Sequence, residues 1–303
     1  MRKYIIILLV IVVVGVGAYF LIQSPSGDTD VVNNQDTATD TTGSQSGAQT
    51  GATQDGSSLK SVGKSVEGRD INVYRYGTGD TELLFIGGIH GGYEWNTSLV
   101  ALELMDYLDK NPETIPANVK VTVIPVLNPD GLSKVVANTT RFTAKDVSSS
   151  QDAQVSGRFN GNTVDLNRNF DCDWQATGTW QNKAVSGGSA AFSEPESRGL
   201  KTYIETQKPK AVVVWFSAAA GVFSSNCHNG VLPETRTLTN TYAKASGYGA
   251  YETFNYYEIT GDVTNWLAKQ NVPAISVLLT NHTDTEWSKN LAGIKALLAY
   301  YAE

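Results

Sequence analysis

The chain has 303 residues and sets 23 Lys and Arg against 30 Asp and Glu, for a formal net charge of −7. Basic residues are nowhere clustered enough for a nucleic-acid footprint, and that class of partner is set aside. No internal repeat is visible, and the chain beyond residue 58 is long enough to bury one substantial core.

In chain order, Met1-Arg2-Lys3 gives a positive start and "YIIILLVIVVVGVGAYFLI" follows without a charge. A bilayer span needs roughly 20 apolar residues, whereas a cleaved signal has a shorter apolar core and a small-residue cleavage pattern. No convincing A-x-A site follows here. Residues 1–22 are therefore expected to form a transmembrane helix, with a cleaved signal segment as the alternative. An anchor places Arg2 and Lys3 on the cytoplasmic side. The rest is exported either way, membrane-anchored on the extracytoplasmic side or secreted. Residues 23–57 are polar, weakly acidic and aperiodic, which predicts a disordered linker.

Residues 58–303 carry the folded pattern. "INVYRY", "ELLFIGG", "VKVTVIPVLN", "KAVVVWFS" and "PAISVLLTN" read as strands, the last four almost continuously apolar, as expected for strands covered on both faces. Between them lie helical patterns. "NTSLVALELMDYLDK" has Asn96 as its cap candidate. "SEPESRGLKTYIETQ" opens on a Ser193/Glu196 capping box with Pro195 in the first turn. "TRTLTNTYAKASGYG" ends at a glycine, and "GDVTNWLAKQ" and "TEWSKNLAGIKALLAYYA" complete the set. The alternation predicts an α/β fold with a largely parallel sheet and helices on both faces. In such sheets chemistry gathers outside the carboxyl ends of the strands.

At one such end "GGIHGGYEWN" places His90 and Glu94 four residues apart. A catalytic zinc takes three protein ligands, commonly His and Asp/Glu, and keeps one position open. The pair looks like half of such a site, although Glu94 also suits a helix first turn without any metal. The other histidines are His228, in a loop, and His282, just past the last strand and the better placed of the two. "RFNGNTVDLNRNFDCDW" gathers Arg158, Asn167 and Arg168, types that grip carboxylates through forked and amide hydrogen bonds. A surface Asp165–Arg168 pair is the plainer alternative. Tyr256 and Tyr257 precede a glycine turn, where one hydroxyl can overhang a cleft. Export permits Cys172 and Cys227 to pair, and two buried thiols are the other reading.

The stretches "GGIHGGYE", "VIPVLNPDG", "RFNGNTVDLNRNFD", "FSEPES", "VVVWFSAAAGV", "YYEITGDVTNW" and "PAISVLL" together resemble the zinc carboxypeptidase superfamily across nearly the whole folded part. The resemblance implies a mixed, mostly parallel eight-stranded sheet, zinc as cofactor and metal-assisted hydrolysis of C-terminal peptide bonds. It assigns His90 and Glu94 to the metal, with one residue more between them than the usual His-x-x-Glu. Arg158 falls at the oxyanion position, Asn167 and Arg168 on the substrate carboxylate, and Tyr257 over the bound substrate. The specificity-pocket position falls near Thr264, a small polar residue.

Two positions depart from the family pattern. Phe216 stands where the second metal histidine is expected, and Leu278 where the catalytic glutamate is expected. The expectation is a catalytically impaired or inactive homologue, with zinc weak or absent and the carboxylate cleft kept. Peptide C-termini or cell-wall stem peptides are its expected ligands. One alternative is an active metallocarboxypeptidase using His282 as ligand and Glu258 or Asp262 as base. Another is an extracellular scaffold that makes no use of the cleft.

Overall fold

The computed structural model describes residues 58–302, and the expected anchor over 1–22 and linker over 23–57 lie outside them. Among the described residues no helix is long and apolar enough to cross a membrane. The first strands are β1 (Ser58–Lys64) and β2 (Asp70–Tyr76). Then β3 (Thr81–Ile86) leads into α1 (Trp95–Lys110), and β4 (Val119–Ile124) into α2 (Pro129–Ser133). A polar stretch carries α3 (Gln151–Ser156) and the pair β5 (Thr177–Trp180) and β6 (Lys183–Ser186). The second half holds α4 (Pro195–Gln207), β7 (Ala211–Ser217), β8 (Gly221–Ser224) and α5 (Pro233–Ser246). It ends with β9 (Gly249–Tyr251), α6 (Val263–Lys269), β10 (Ala274–Leu279) and α7 (Trp287–Tyr300).

Eight strands form one sheet in the order β1-β2-β4-β3-β7-β10-β8-β9. The central four, β4-β3-β7-β10, run parallel, whereas β2 is antiparallel to β4 and β8 antiparallel to β10. The sheet is therefore mixed, with its parallel pairing concentrated at the centre. Those central strands are the apolar runs of the sequence. Alternate residues face opposite layers. Leu83, Phe85, Val213, Trp215 and Val277 pack with Leu104, Tyr242 and Leu297 from α1, α5 and α7. Leu84, Ile86, Val214, Phe216 and Leu278 pack with Leu200 and Ile204 of α4 and with Trp266 and Leu267 of α6. The carboxyl ends of β3, β7 and β10 thus stand side by side.

Two local expectations are corrected. Asn96 does not cap α1, which begins one residue earlier with Glu94 at the cap position. Asn96 is fully buried, and its amide donates to the carbonyls of Asn281 and Asp284 while accepting from the Ser217 hydroxyl. It closes the gap between the end of β7 and the loop after β10, where bare carbonyls need donors. The Ser193/Glu196 capping box is also absent: Glu194 occupies the cap position without a side-chain bond. Glu196 instead accepts from the Val66 amide and Asn160, and the Ser193 hydroxyl donates to Glu194. A buried carboxylate finds better partners across the chain than in its own first turn.

Candidate functional site

His90 lies in the turn that follows β3, and the two glycines after it explain how the site closes. Gly91 has φ +43, and a Cβ there would come within 2.7 Å of the Gly157 carbonyl. The Gly92 amide donates to that same carbonyl. The glycine turn therefore lets the segment bearing Arg158 approach His90 as no side-chain-bearing residue would.

The result is a buried ring of four groups. His90 Nδ1 lies 3.0 Å from Glu94 Oε1, and His90 Nε2 lies 3.3 Å from Asp165 Oδ1. Arg158 donates to Asp165 Oδ2 through Nε at 2.9 Å and stands 2.8 Å from it through Nη2, while its Nη1 is 3.8 Å from Glu94. The guanidinium lies over Trp180 of β5 at 4.5 Å and over Tyr93 at 5.7 Å. Burial works to raise the Asp165 carboxyl. The charges of Arg158, His90 and Arg168, with the close approach of His90, outweigh burial and hold it far below the usual carboxylate range. Asp165 thus pairs with Arg158 in the interior, which replaces the surface Asp165–Arg168 pair entertained from the sequence.

A cavity of about 850 Å³ opens beside this ring. His90, Glu94, Arg158, Asn167, Arg168, Tyr257, Phe216 and Leu278 all line it, so the structure brings every candidate residue to one place. Phe216 and Leu278 are register partners at the ends of β7 and β10. The Phe216 ring sits 5.6 Å from the His90 ring.

Arg168 is almost wholly buried, yet among the described residues it forms no ion pair. Its Nη1 donates to the Asn167 carbonyl, and its Nε and Nη2 donate to the Thr179 carbonyl. These are neutral partners, so no carboxylate is hydrogen-bonded to it among the described residues, and further Nη protons remain for an anion. The Arg168 guanidinium sits 5.9 Å from the Tyr257 ring, whose phenol is pushed up by burial. The Asn167 amide has other duties than the sequence suggested. Its Nδ2 donates to Asp262 Oδ2 at 2.8 Å and its Oδ1 accepts from the Val263 amide, fixing the start of α6.

Zinc is the metal of the family that the sequence resembles, and the residues meet its needs in part. Neither ring nitrogen of His90 nor Glu94 Oε2 completes a hydrogen bond of acceptable geometry, although all are buried. Two polar groups turned toward each other without hydrogen bonds suit two metal donors. Among the described residues, no third His, Cys, Asp or Glu donor forms a grouping with His90 and Glu94. Among the described residues, the three-donor grouping that occurs is Cys172, Cys227 and His228, and its two sulfurs are bonded to each other. His282 lines the same cavity against the Tyr93 ring at 4.6 Å, and burial lowers its pKa. It joins no such grouping with His90 and Glu94. The described side chains therefore offer two of the three protein ligands usual in a catalytic zinc site.

Reasoning from the sequence left Asp262 and the Cys172–Cys227 bond open. The disulfide is formed. Asp262 lines the cavity, buried at the start of α6, and the helix pattern in "GDVTNW" was the signal that could have found it.

A family model described as zinc carboxypeptidase matches residues 49–280. Carboxypeptidase Z of Gallus gallus is 29% identical over 58% of this chain and 27% of its own length. Carboxypeptidase D of Homo sapiens is 27% identical over 69% of this chain and 16% of its own. The chain thus spans about a quarter or less of these two relatives. Among solved structures, thrombin activatable fibrinolysis inhibitor superposes with a TM-score of 0.66 at 15% identity, covering 82% of this chain and 70% of that one. Murein-tripeptide amidase MpaA from Escherichia coli O157 gives 0.58 at 22%, covering 84% and 96%. At such identities the structural likeness speaks for the fold, an α/β carboxypeptidase-like architecture with a mixed sheet. Because the family model spans most of the sequence, the chain belongs to the zinc carboxypeptidase family.

Proposed function

We propose that this domain keeps the peptide-carboxylate cleft of a zinc carboxypeptidase while its hydrolytic chemistry is impaired or lost. One observation carries the reading: Phe216 and Leu278 stand as register partners on the cavity wall beside His90 and Glu94. In this reading Phe216 replaces a metal histidine and Leu278 replaces the catalytic glutamate. Changing a residue that merely supports a metal ligand costs roughly 10- to 100-fold in affinity or activity, and losing a ligand itself costs more. Losing a general base removes a further factor of about 10² to 10⁴. Both losses fall on one reaction.

The binding side supports the reading from the other direction. Arg168 offers a buried guanidinium beside Tyr257 whose hydrogen bonds go to carbonyls, and a free carboxylate is its natural complement. The ligands proposed are peptide C-termini, including cell-wall stem peptides, met outside the cell by a domain tethered through residues 1–22. Titration of acetylated peptides with a free or an amidated C-terminus tests this. The free acid is expected to bind and the amide to bind at least 10-fold more weakly, with Arg168→Ala abolishing the difference. Equal binding of acid and amide would favour the scaffold alternative.

A further inference from the structure

The rim of the cavity carries a second set of metal-type donors, apart from His90 and Glu94. Cys172 and Cys227 are buried and bonded to each other, and each is followed at once by another ligand type, Asp173 and His228. Asp173 and His228 both have left-handed backbone, with φ of 53° and 61°. That conformation is costly for residues bearing a side chain. Here it accompanies side chains turned toward the sulfurs. Asp173 Oδ2 lies 3.8 Å from Cys172 Sγ, and Asp173 Oδ1 lies 2.8 Å from His228 Nε2. A ring nitrogen of His228 and the two sulfurs all lie within 4.8 Å of one another.

A disulfide beside a surface ion pair accounts for the bond. It does not account for an imidazole and a carboxylate gathered against the sulfurs by two residues of unfavourable backbone. Two thiolates, an imidazole and a carboxylate make a full tetrahedral donor set for zinc. With Zn–S near 2.3 Å, the sulfurs of such a site stand roughly 3.8 Å apart. The Cys172 and Cys227 Cα atoms are 6.2 Å apart, so side-chain rotation alone can open the sulfurs to that separation. An ion has a route in, because Asp173 and His228 are exposed and line the open cavity.

We propose that the reduced protein binds one zinc ion through Cys172, Cys227, His228 and Asp173, at a site that stays latent while the disulfide is closed. A thiol reductant supplies two electrons and two protons, breaks the Cys172–Cys227 bond and leaves as its own disulfide. Zinc then displaces both thiol protons as it binds the two sulfurs. The site goes beyond the carboxylate reading and does not depend on it. It borders the same cleft: the Cys172 carbonyl accepts from the Gly261 amide, in the turn between Tyr257 and α6.

The test measures zinc and cobalt uptake by the full chain, oxidised and after reduction with a phosphine. Reduction is expected to add one zinc per chain, and cobalt is expected to give sulfur-to-metal charge-transfer absorption in the reduced chain alone. His228→Ala should weaken that zinc at least 10- to 100-fold, whereas His90→Ala should leave it unchanged. Thermal unfolding reads the same event independently: zinc is expected to raise the midpoint of the reduced chain and not that of the oxidised one. The proposal is overturned if reduction adds no zinc, or if the reduced chain unfolds and zinc does not restore it. It is equally overturned if the added zinc is lost in His90→Ala and kept in His228→Ala.

Discussion

Arg158 and Asp165 are buried charges whose fates are tied, because each neutralises the other in the interior. Removing one member leaves the other unpaired, which costs far more than the pair contributes. Asp165→Asn is expected to destabilise the fold by about 3–5 kcal/mol in urea unfolding. A loss under about 1 kcal/mol would mean that Arg158 finds another partner. At this scale the sequence was partly legible. His90, Glu94, Arg158, Arg168 and Tyr257 all reach the cavity that their positions at strand ends and turns implied. The partnerships were not legible: a buried Arg158–Asp165 pair and an exposed Arg168–Asp165 pair look alike until burial is known. Asn167 was read as a ligand group, yet its amide is engaged at the start of α6.

Among the elements, the loop between β10 and α7 depends on Glu286, which has a left-handed φ of 47°. Burial works to raise its carboxyl, but Lys289, the Thr280 amide and hydroxyl, and the Tyr248 hydroxyl together hold it down at about 2. A carboxylate whose pKa is depressed on folding contributes stability above its unfolded value, and loses it as pH falls toward the folded one. Solvent screening at the loop surface keeps that contribution below the full value of the shift. The contribution should fade between about pH 4.5 and 2. Thermal unfolding at stepped pH is expected to show the native protein losing more stability across that window than Glu286→Gln. Parallel acid profiles would contradict this.

The disulfide Cys172–Cys227 ties the segment after Arg168 to the loop after β8, over a sequence separation of 55. Loop-closure entropy for that separation is worth about 4 kcal/mol. Replacing both cysteines with serine should lower the urea midpoint accordingly, and an unchanged midpoint would show that the unfolded chain is not constrained by the bond. The central strands were readable because continuous apolar runs have one home, a sheet covered on both faces. The edge strands β1 and β9, and β8 beside β9, were missed because they are short or polar, and their pairing is decided by neighbours far along the chain. The two failed caps have the same origin: Asn96 and Glu196 satisfy distant backbone that local spacing does not reveal.

Across the whole molecule, a zinc carboxypeptidase framework gathers His90, Glu94, Arg158, Arg168 and Tyr257 around one cavity. The family motifs were legible because they are local and specific. The consequence of Phe216 and Leu278 needed the sheet, since residues 62 apart in sequence become register partners beside His90 only when β7 pairs with β10. The central claim is that this cleft binds without hydrolysing. The most direct measurement is zinc stoichiometry on the purified protein with zinc supplied, together with release of C-terminal residues from peptides. The native protein is expected to take up no stoichiometric zinc at His90 and Glu94 and to release nothing. Phe216→His should raise zinc affinity at least 10- to 100-fold. One zinc per native chain, lost in His90→Ala and accompanied by C-terminal hydrolysis, would contradict the account.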